Sequence, residues 1–186
     1  MEISEPPFSR FIFSTTGFAW FWLVVRLYVG WQWLEAGWNK VTSPMWIGQD
    51  SGGVLQGFIS GALQKTVGAH PDVSSWYGHF LLTFVLPHAK IFSFLVAYGE
   101  LLVAIALILG LFTGIAAFFG TFMNLNYLFA GTVSVNPLLL LLQLFLILAW
   151  RIAGWYGLDR FFLRWLGTPW SPGSIFNHDH TPKQSA

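Results

Sequence analysis

Long apolar runs, each carrying a polar residue near its middle, alternate along the chain with short turn signals and one long amphipathic stretch. A bilayer core of about 30 Å needs roughly 20 helical residues, and the runs at 15–38, 89–111, 113–132 and 136–155 satisfy that length. Only LGLFTG, from Gly110 to Gly114, separates the second and third runs. GTVSVNP separates the third and fourth, and its Pro137 suits a first helical turn. Connections that short force antiparallel neighbours. The pattern predicts an all-α fold: an integral membrane, up-down four-helix bundle whose backbone is satisfied inside each helix, because lipid offers no partners.

The outer loop at 39–88 has its own periodicity. Val54, Leu55, Phe58, Ile59, Ala62 and Leu63 form a helical stripe beside a ridge of Gly53, Gly57 and Gly61, which predicts a short interfacial or rim-packed helix with close approach at the glycines. SSWYGHFLLTFVLP predicts a second short helix ending at Pro87. After the last run, GWYGLDRFFLRWLGTPW predicts an interfacial helix capped by Asp159. Phe161, Phe162, Trp165 and Leu166 would face lipid, and Arg160 and Arg164 would face phosphates. Residues 1–14 form an N-terminal segment, 15–168 the helical domain and 169–186 a polar tail.

Composition sharpens the membrane reading. The chain is 55% hydrophobic and 9% charged, whereas about a quarter of a soluble domain is charged. A net charge of +1 without a long basic run argues against nucleic-acid binding. The absence of cysteine removes thiolate chemistry, iron–sulfur ligation and disulfides. MEISEPPFSR lacks the features of a signal peptide, so the first apolar run is expected to remain. Arg10, Arg151, Arg160, Arg164 and Lys183 lie on the side of both termini, against Lys40, Lys65 and Lys90 opposite, which places the termini in the cytoplasm and the protein in the inner membrane.

Arg26, Glu100, Asn124 and Gln143 fall near the middles of the runs and predict a polar layer, one residue from each helix. Arg26 shares a helical face with Gly30, Trp33, Gly37 and Lys40, and Glu100 is its expected partner. Such a layer either locks helix register or builds a functional pocket, and both readings stay open. One acid and one base cancel, so no ring of like charge lines a channel. His70, His79 and His88 lie near span ends rather than centres, which leaves a transmembrane haem without axial ligands. The tail motif NHDH carries His178, Asp179 and His180 without a framework for a metal, the glycines at 52–61 match no phosphate loop, and no metal site is expected.

RLYVGWQWLEAGWNK (26–40), PHAKIFSFLVAYGELLVAIALILGLFTGIAA (87–117) and GWYGLD (154–159) resemble the DoxX/DoxD family of small four-helix membrane proteins over roughly residues 18–165. The resemblance marks Arg26, Gly30, Gly37, Lys40, Glu100 and Asp159 as characteristic positions. It also implies a subunit of a quinone-linked oxidoreductase. DoxD is the membrane subunit of thiosulfate:quinone oxidoreductase and pairs with DoxA, and no DoxA-like segment occurs in this chain. On this reading Arg26 and Glu100 are catalytic: the first stabilises a reduced quinone and the second relays protons. Trp22, Gly30, Trp33, Tyr98, Asn124, Tyr127 and Gln143 line the pocket, Lys40 and Lys90 attract an anionic donor, and quinone is the one cofactor implied, with none covalently bound. The alternative is a noncatalytic accessory subunit packed against other subunits of a larger respiratory or photosynthetic membrane complex. A solute transporter would show inverted repeats or broken spans, and the apolar pattern shows neither clearly.

Overall fold

The computed structural model of the chain describes residues 5–166. The expected polar tail, with His178, Asp179, His180 and Lys183, lies outside the described residues. Among the described residues every regular element is helical. In chain order they are α1 (Pro7–Ser14), α2 (Ala19–Val41), α3 (Pro44–Ile47), α4 (Gly53–Gln64), α5 (Ser75–Phe80), α6 (Ala89–Leu109), α7 (Thr113–Phe129), α8 (Asn136–Leu148), α9 (Trp150–Ala153) and α10 (Asp159–Leu166).

Helices α2, α6, α7 and α8 pack side by side around one core of Trp22, Val29, Trp33, Ala104, Leu107, Ala117 and Leu146. Two glycines set the closest contact. A Cβ on Gly30 would meet Ile108 and Leu107, and one on Gly37 would meet the backbone of Leu101 and Glu100. Moving up α2 therefore moves down α6, so the two helices run antiparallel at near-backbone contact. Larger residues at either position would force them apart.

The end of α6 shows how local chemistry stops a helix. Gly110 takes φ 64, the Leu111 N–H donates to Ala106 O at 2.9 Å, and the Gly110 N–H reaches Leu107 O. This left-handed cap closes the last turn and reverses the chain into α7 within three residues.

Four expectations need correction. The helix does not end at Pro87. α5 runs through a π-helical turn at Leu81–Val85 and a 3-10 turn at Leu86–His88 into α6. These turns absorb the backbone donor that proline lacks, and His88 Nδ1 lies 2.9 Å from Phe84 O beside the irregularity. The fourth apolar run is not one helix: it breaks at Ala149 between α8 and α9. The ridge of Gly53, Gly57 and Gly61 packs against nothing, since a Cβ at each would meet no atom within 4 Å. Instead α4 buries the opposite stripe, Leu55, Ile59 and Ala62, in a second core with Val73, Tyr77, Leu81, Val85 and Ala130. Asp159 caps α7 rather than its own helix, as described below.

Of the helices, Ser75–Leu109 is long and apolar enough to cross a membrane, and Pro7–Ser14 with Thr16–Val41 is a second candidate bent by 59°. Helix α7, with 17 residues, and α8, with 13, are shorter. Around the bundle, Trp20, Val24, Leu102, Phe118, Phe122 and Leu148 are each more than half exposed, so the outer surface presents many large apolar side chains.

Candidate functional site

The polar residues expected at one depth separate into three groups. Register explains why. Gly30 lies opposite Leu107 and Ile108, and Gly37 opposite Glu100 and Leu101, so Arg26 lies opposite the very end of α6. Glu100 faces Gly37, eleven residues from Arg26, and at 1.5 Å per residue it sits about 16 Å farther along the bundle. The expected Arg26–Glu100 pair is therefore not made.

The first group closes one end of the bundle around Arg26, which is 1% exposed. Its Nη1 donates to Leu107 O at 2.6 Å and Ile108 O at 3.1 Å, and its Nη2 donates to Tyr156 O at 3.3 Å. The last carbonyls of a helix have no intrahelical donor, and their partial negative charge favours a cation, so Arg26 caps α6 from the side. Asp159 makes the complementary contact with the next helix. It accepts from the Phe112 N–H and, at 2.9 Å, from the Thr113 N–H, the open donors at the start of α7. These bonds hold Phe112 at φ 48, an uncommon conformation for a non-glycine residue. Burial pushes the Asp159 carboxyl above its ordinary range, against the opposing pull of the Thr113 and Phe112 donors and of the Arg26 charge. The Asp159 N–H also donates to Gly110 O at 2.7 Å, and Cβ atoms on Gly154 and Gly157 would collide with Asp159 and with the Gly110 backbone. GWYGLD and LGLFT are thus two halves of one joint, with Arg26 inserted beside them.

The second group contains Glu100, also 1% exposed. Its Oε2 pairs with Lys40 Nζ at 2.6 Å, and its Oε1 accepts from the Tyr127 hydroxyl. Lys40 is 20% exposed, and its ammonium lies 5.2 Å from the centroid of the Trp46 ring. Ser93, fully buried, donates to Trp46 O at 2.7 Å and holds α3 over this end of the pair. A buried carboxylate is tolerable here because a cation and a hydroxyl satisfy it together. The route Tyr127–Glu100–Lys40 leads from the interior to the partly exposed ammonium.

Tyr127 also lines an apolar cavity of about 580 Å³ between α4, α5, α6 and α7, open on its outer side, where Leu95, Leu102, Phe119 and Phe122 are each more than half exposed. Phe58, Phe80, Phe92, Phe119 and Phe122 supply aromatic walls, and Tyr77 and Asn126 supply the other polar groups. The Tyr77 hydroxyl lies 3.0 Å from the Asn126 backbone carbonyl and 3.1 Å from Asn126 Oδ1, and Asn126 Nδ2 donates to Phe122 O at 2.8 Å, which fixes both side chains. The aromatic walls from α4 and α5 were not anticipated among the pocket residues. Their only trace in the sequence is the amphipathic stripe at 54–63 and the aromatics of SSWYGHF.

The third group is Trp33, Asn124 and Gln143, which meet where α2, α7 and α8 converge. Asn124 Nδ2 reaches Gln143 Oε1 at 3.5 Å and Asn136 O at 3.4 Å, both long contacts. Trp33 touches Tyr127 ring to ring at 6.4 Å. None of the three lines the apolar cavity.

The remaining expected site residues lie elsewhere. Trp22 is buried, but its indole donates to Ile12 O at 2.7 Å and fastens α1 to α2. Gly30 is a packing contact with α6. Tyr98 stands 46% exposed and stacks on Phe94 on the outer surface. Lys90 is exposed in the first turn of α6, whereas Lys40 is engaged by Glu100, so the two do not form one anion-attracting face. Among the expected pocket residues, only Tyr127 borders the cavity.

A family model described as DoxX matches residues 21–133, more than half of the chain. The match includes Arg26, Lys40, Glu100, Asn124 and Tyr127, and it ends before Gln143 and Asp159. No curated protein and no solved structure matches the chain.

Proposed function

The chain belongs to the DoxX family, and from that premise we propose that it is a four-span inner-membrane subunit of a quinone-linked oxidoreductase, with both termini in the cytoplasm. The four spans are α2, α5 with α6, α7, and α8 with α9. The apolar outer surface and the membrane association of the family support this reading. At 17 residues, α7 sits at the short end of the length that spans a bilayer.

One observation carries the functional reading. Tyr127 belongs both to the wall of the apolar cavity and to the buried hydrogen-bonded route through Glu100 to Lys40. The cavity's volume and aromatic walls fit a flat, apolar headgroup, and the Tyr127 hydroxyl is the polar group that points from the wall toward a proton source. A bound quinone supplies two-electron chemistry in which two protons are also taken up. The electrons come from a donor oxidised on a partner chain, thiosulfate being the donor that the DoxD resemblance implies. Phe58, Phe80 and Phe92 would hold the ring against the inner side of the cavity. Tyr127 passes a proton into the cavity, Glu100 restores it, and Lys40 exchanges it with the outer side. Arg26 contributes by closing the opposite end of the bundle.

The native complex isolated from membranes tests this proposal. Donor addition is expected to reduce a short-chain quinone, and Tyr127→Phe is expected to slow that reaction while the protein stays folded. No quinone reduction and no retained quinone, with the chain bound stoichiometrically to a larger complex, would replace this reading with the accessory one.

A further inference from the structure

We propose that the apolar cavity is entered from the side, out of the bilayer between α6 and α7, by a quinone whose neutral ring lies at the Tyr127 end and whose single isoprenoid tail lies along the slot between the two helices. The inference deepens the function proposed above and rests on its four-span reading. Phe92, Leu95, Gly99 and Val103 border the cavity from α6, and Ala116, Phe119, Met123 and Tyr127 border it from α7. Steps of three and four residues keep to one face of a helix, and at 1.5 Å per residue each stretch is about 16 Å long. A Cβ on Gly99 would meet Met123 Sδ at 3.3 Å, which sets the middles of the two antiparallel stretches side by side. The cavity is therefore a slot running along both helices.

One end of the slot is covered and its side is open. At the Tyr127 end α4 and α5 supply Leu55, Ile59, Tyr77 and Leu81, all buried, and the Tyr77 ring lies 5.5 Å from that of Phe129 at the end of α7. Along the side, Leu95 and Leu102 on α6 and Phe119 and Phe122 on α7 are each more than half exposed. Both helices belong to spans on the reading above, so this opening faces hydrocarbon and runs in the direction of the lipid chains. A guest dissolved in the bilayer reaches the cavity directly, whereas one arriving from water meets the cover of α4 and α5.

The lining selects the guest. None of the lining residues is charged, so a phospholipid headgroup would find no counter-charge there. The polar groups of the lining, Tyr77, Asn126 and Tyr127, all stand at the covered end, and the Tyr77 hydroxyl is bonded to Asn126. At the other end Leu102, Val103, Ala116 and Phe119 are apolar throughout. A neutral ring with one apolar tail matches this gradient, and in a quinone that tail is isoprenoid. A volume of about 580 Å³ holds the ring and the first part of the tail, and the open side lets the rest continue into lipid.

The test uses the full chain in phosphatidylcholine nanodiscs that hold a benzoquinone with a photoreactive diazirine on its isoprenoid tail, and mass spectrometry locates the label. Labelling is expected to concentrate on Leu95, Leu102, Phe119 and Phe122 over Ile105 and Phe118, which are exposed on the same helices but lie outside the slot. Unlabelled tailed quinone is expected to displace it, and a free fatty acid is not. Gly99→Leu fills the slot half-way and is expected to lower the slot labelling about tenfold. Leu102→Trp, at the exposed side, replaces it if that variant does not fold. Label spread evenly over the exposed apolar residues overturns the proposal, and so does slot labelling unchanged by these substitutions. Displacement by the fatty acid as effective as by the quinone also overturns it, because the slot is then a crevice filled by lipid. Turnover of the native complex separates the two readings. Slot labelling without quinone reduction removes the oxidoreductase reading and leaves the side entry standing, whereas reduction with evenly spread label removes the side entry alone.

Discussion

Lys40 Nζ and Glu100 Oε2 meet 2.6 Å apart across the contact between α2 and α6, one turn from Gly37. Glycine at 37 lets α2 approach the α6 backbone, and the approach lets a lysine at the end of α2 reach a carboxylate near the middle of α6. The second oxygen of that carboxylate serves Tyr127 and, through it, the cavity. Close packing, charge compensation and access to the cavity are one local arrangement.

Removing either member of this pair has unequal consequences. Lys40→Met leaves a fully buried carboxylate without its cation and is expected to destabilise the protein by about 3–5 kcal/mol. Glu100→Gln is expected to cost less, because the partly exposed Lys40 can hydrate. The double variant should recover much of the Lys40→Met loss, and a denaturation cycle over the four proteins measures the coupling.

Tyr127→Phe keeps the ring that packs against Trp33 and Phe58 and removes only the hydroxyl. Quinone-linked turnover of the native complex is expected to fall about 10²-fold, within the range of a lost proton-transfer group. The thermal transition should move by only a few degrees, and steady-state rates with melting curves check both.

Arg26→Met removes the guanidinium donors of three carbonyl oxygens at the joint between α6 and the segment leading to α10, and of these only Leu107 O keeps a further donor among the described residues, the Gly110 N–H. A loss of about 3 kcal/mol is expected, by analogy with breaking a buried charged network. Arg26→Lys should retain part of it. Asp159→Asn exchanges a two-oxygen acceptor for an amide that can satisfy one of the Phe112 and Thr113 donors, at an expected cost of about 1–3 kcal/mol. Unfolding in detergent reads all three.

Two glycine substitutions are expected to differ sharply. Gly37→Ala places a Cβ 2.6 Å from the Leu101 nitrogen, where only backbone can yield, and should cost about 1–3 kcal/mol. Gly57→Ala meets open space inside a helix and should stabilise by up to about 1 kcal/mol. Paired melting curves decide this.

The apolar pattern by itself determined the helical class, the elements α2, α6 and α7 to within a few residues, and the buried stripe of α4, because hydrophobic periodicity is a local property. It also singled out Arg26, Glu100, Asn124 and Gln143 as polar residues that must turn inward, and all four are buried. Which of them meet was a matter of register between helices. Counting from the ends of apolar runs placed Arg26 and Glu100 at one depth. The packing of Gly30 and Gly37 on α6 slid them several turns apart, giving Arg26 to carbonyls and Glu100 to Lys40. The continuity of α5 with α6 through Pro87 and the break at Ala149 were equally hidden, since both depend on neighbours that satisfy or fail to satisfy individual backbone groups. Asp159 shows the limit most simply. Its place before a helical run suggests a cap for that run, yet the donors it reaches begin α7, and only the folded chain brings Phe112 and Thr113 beside it.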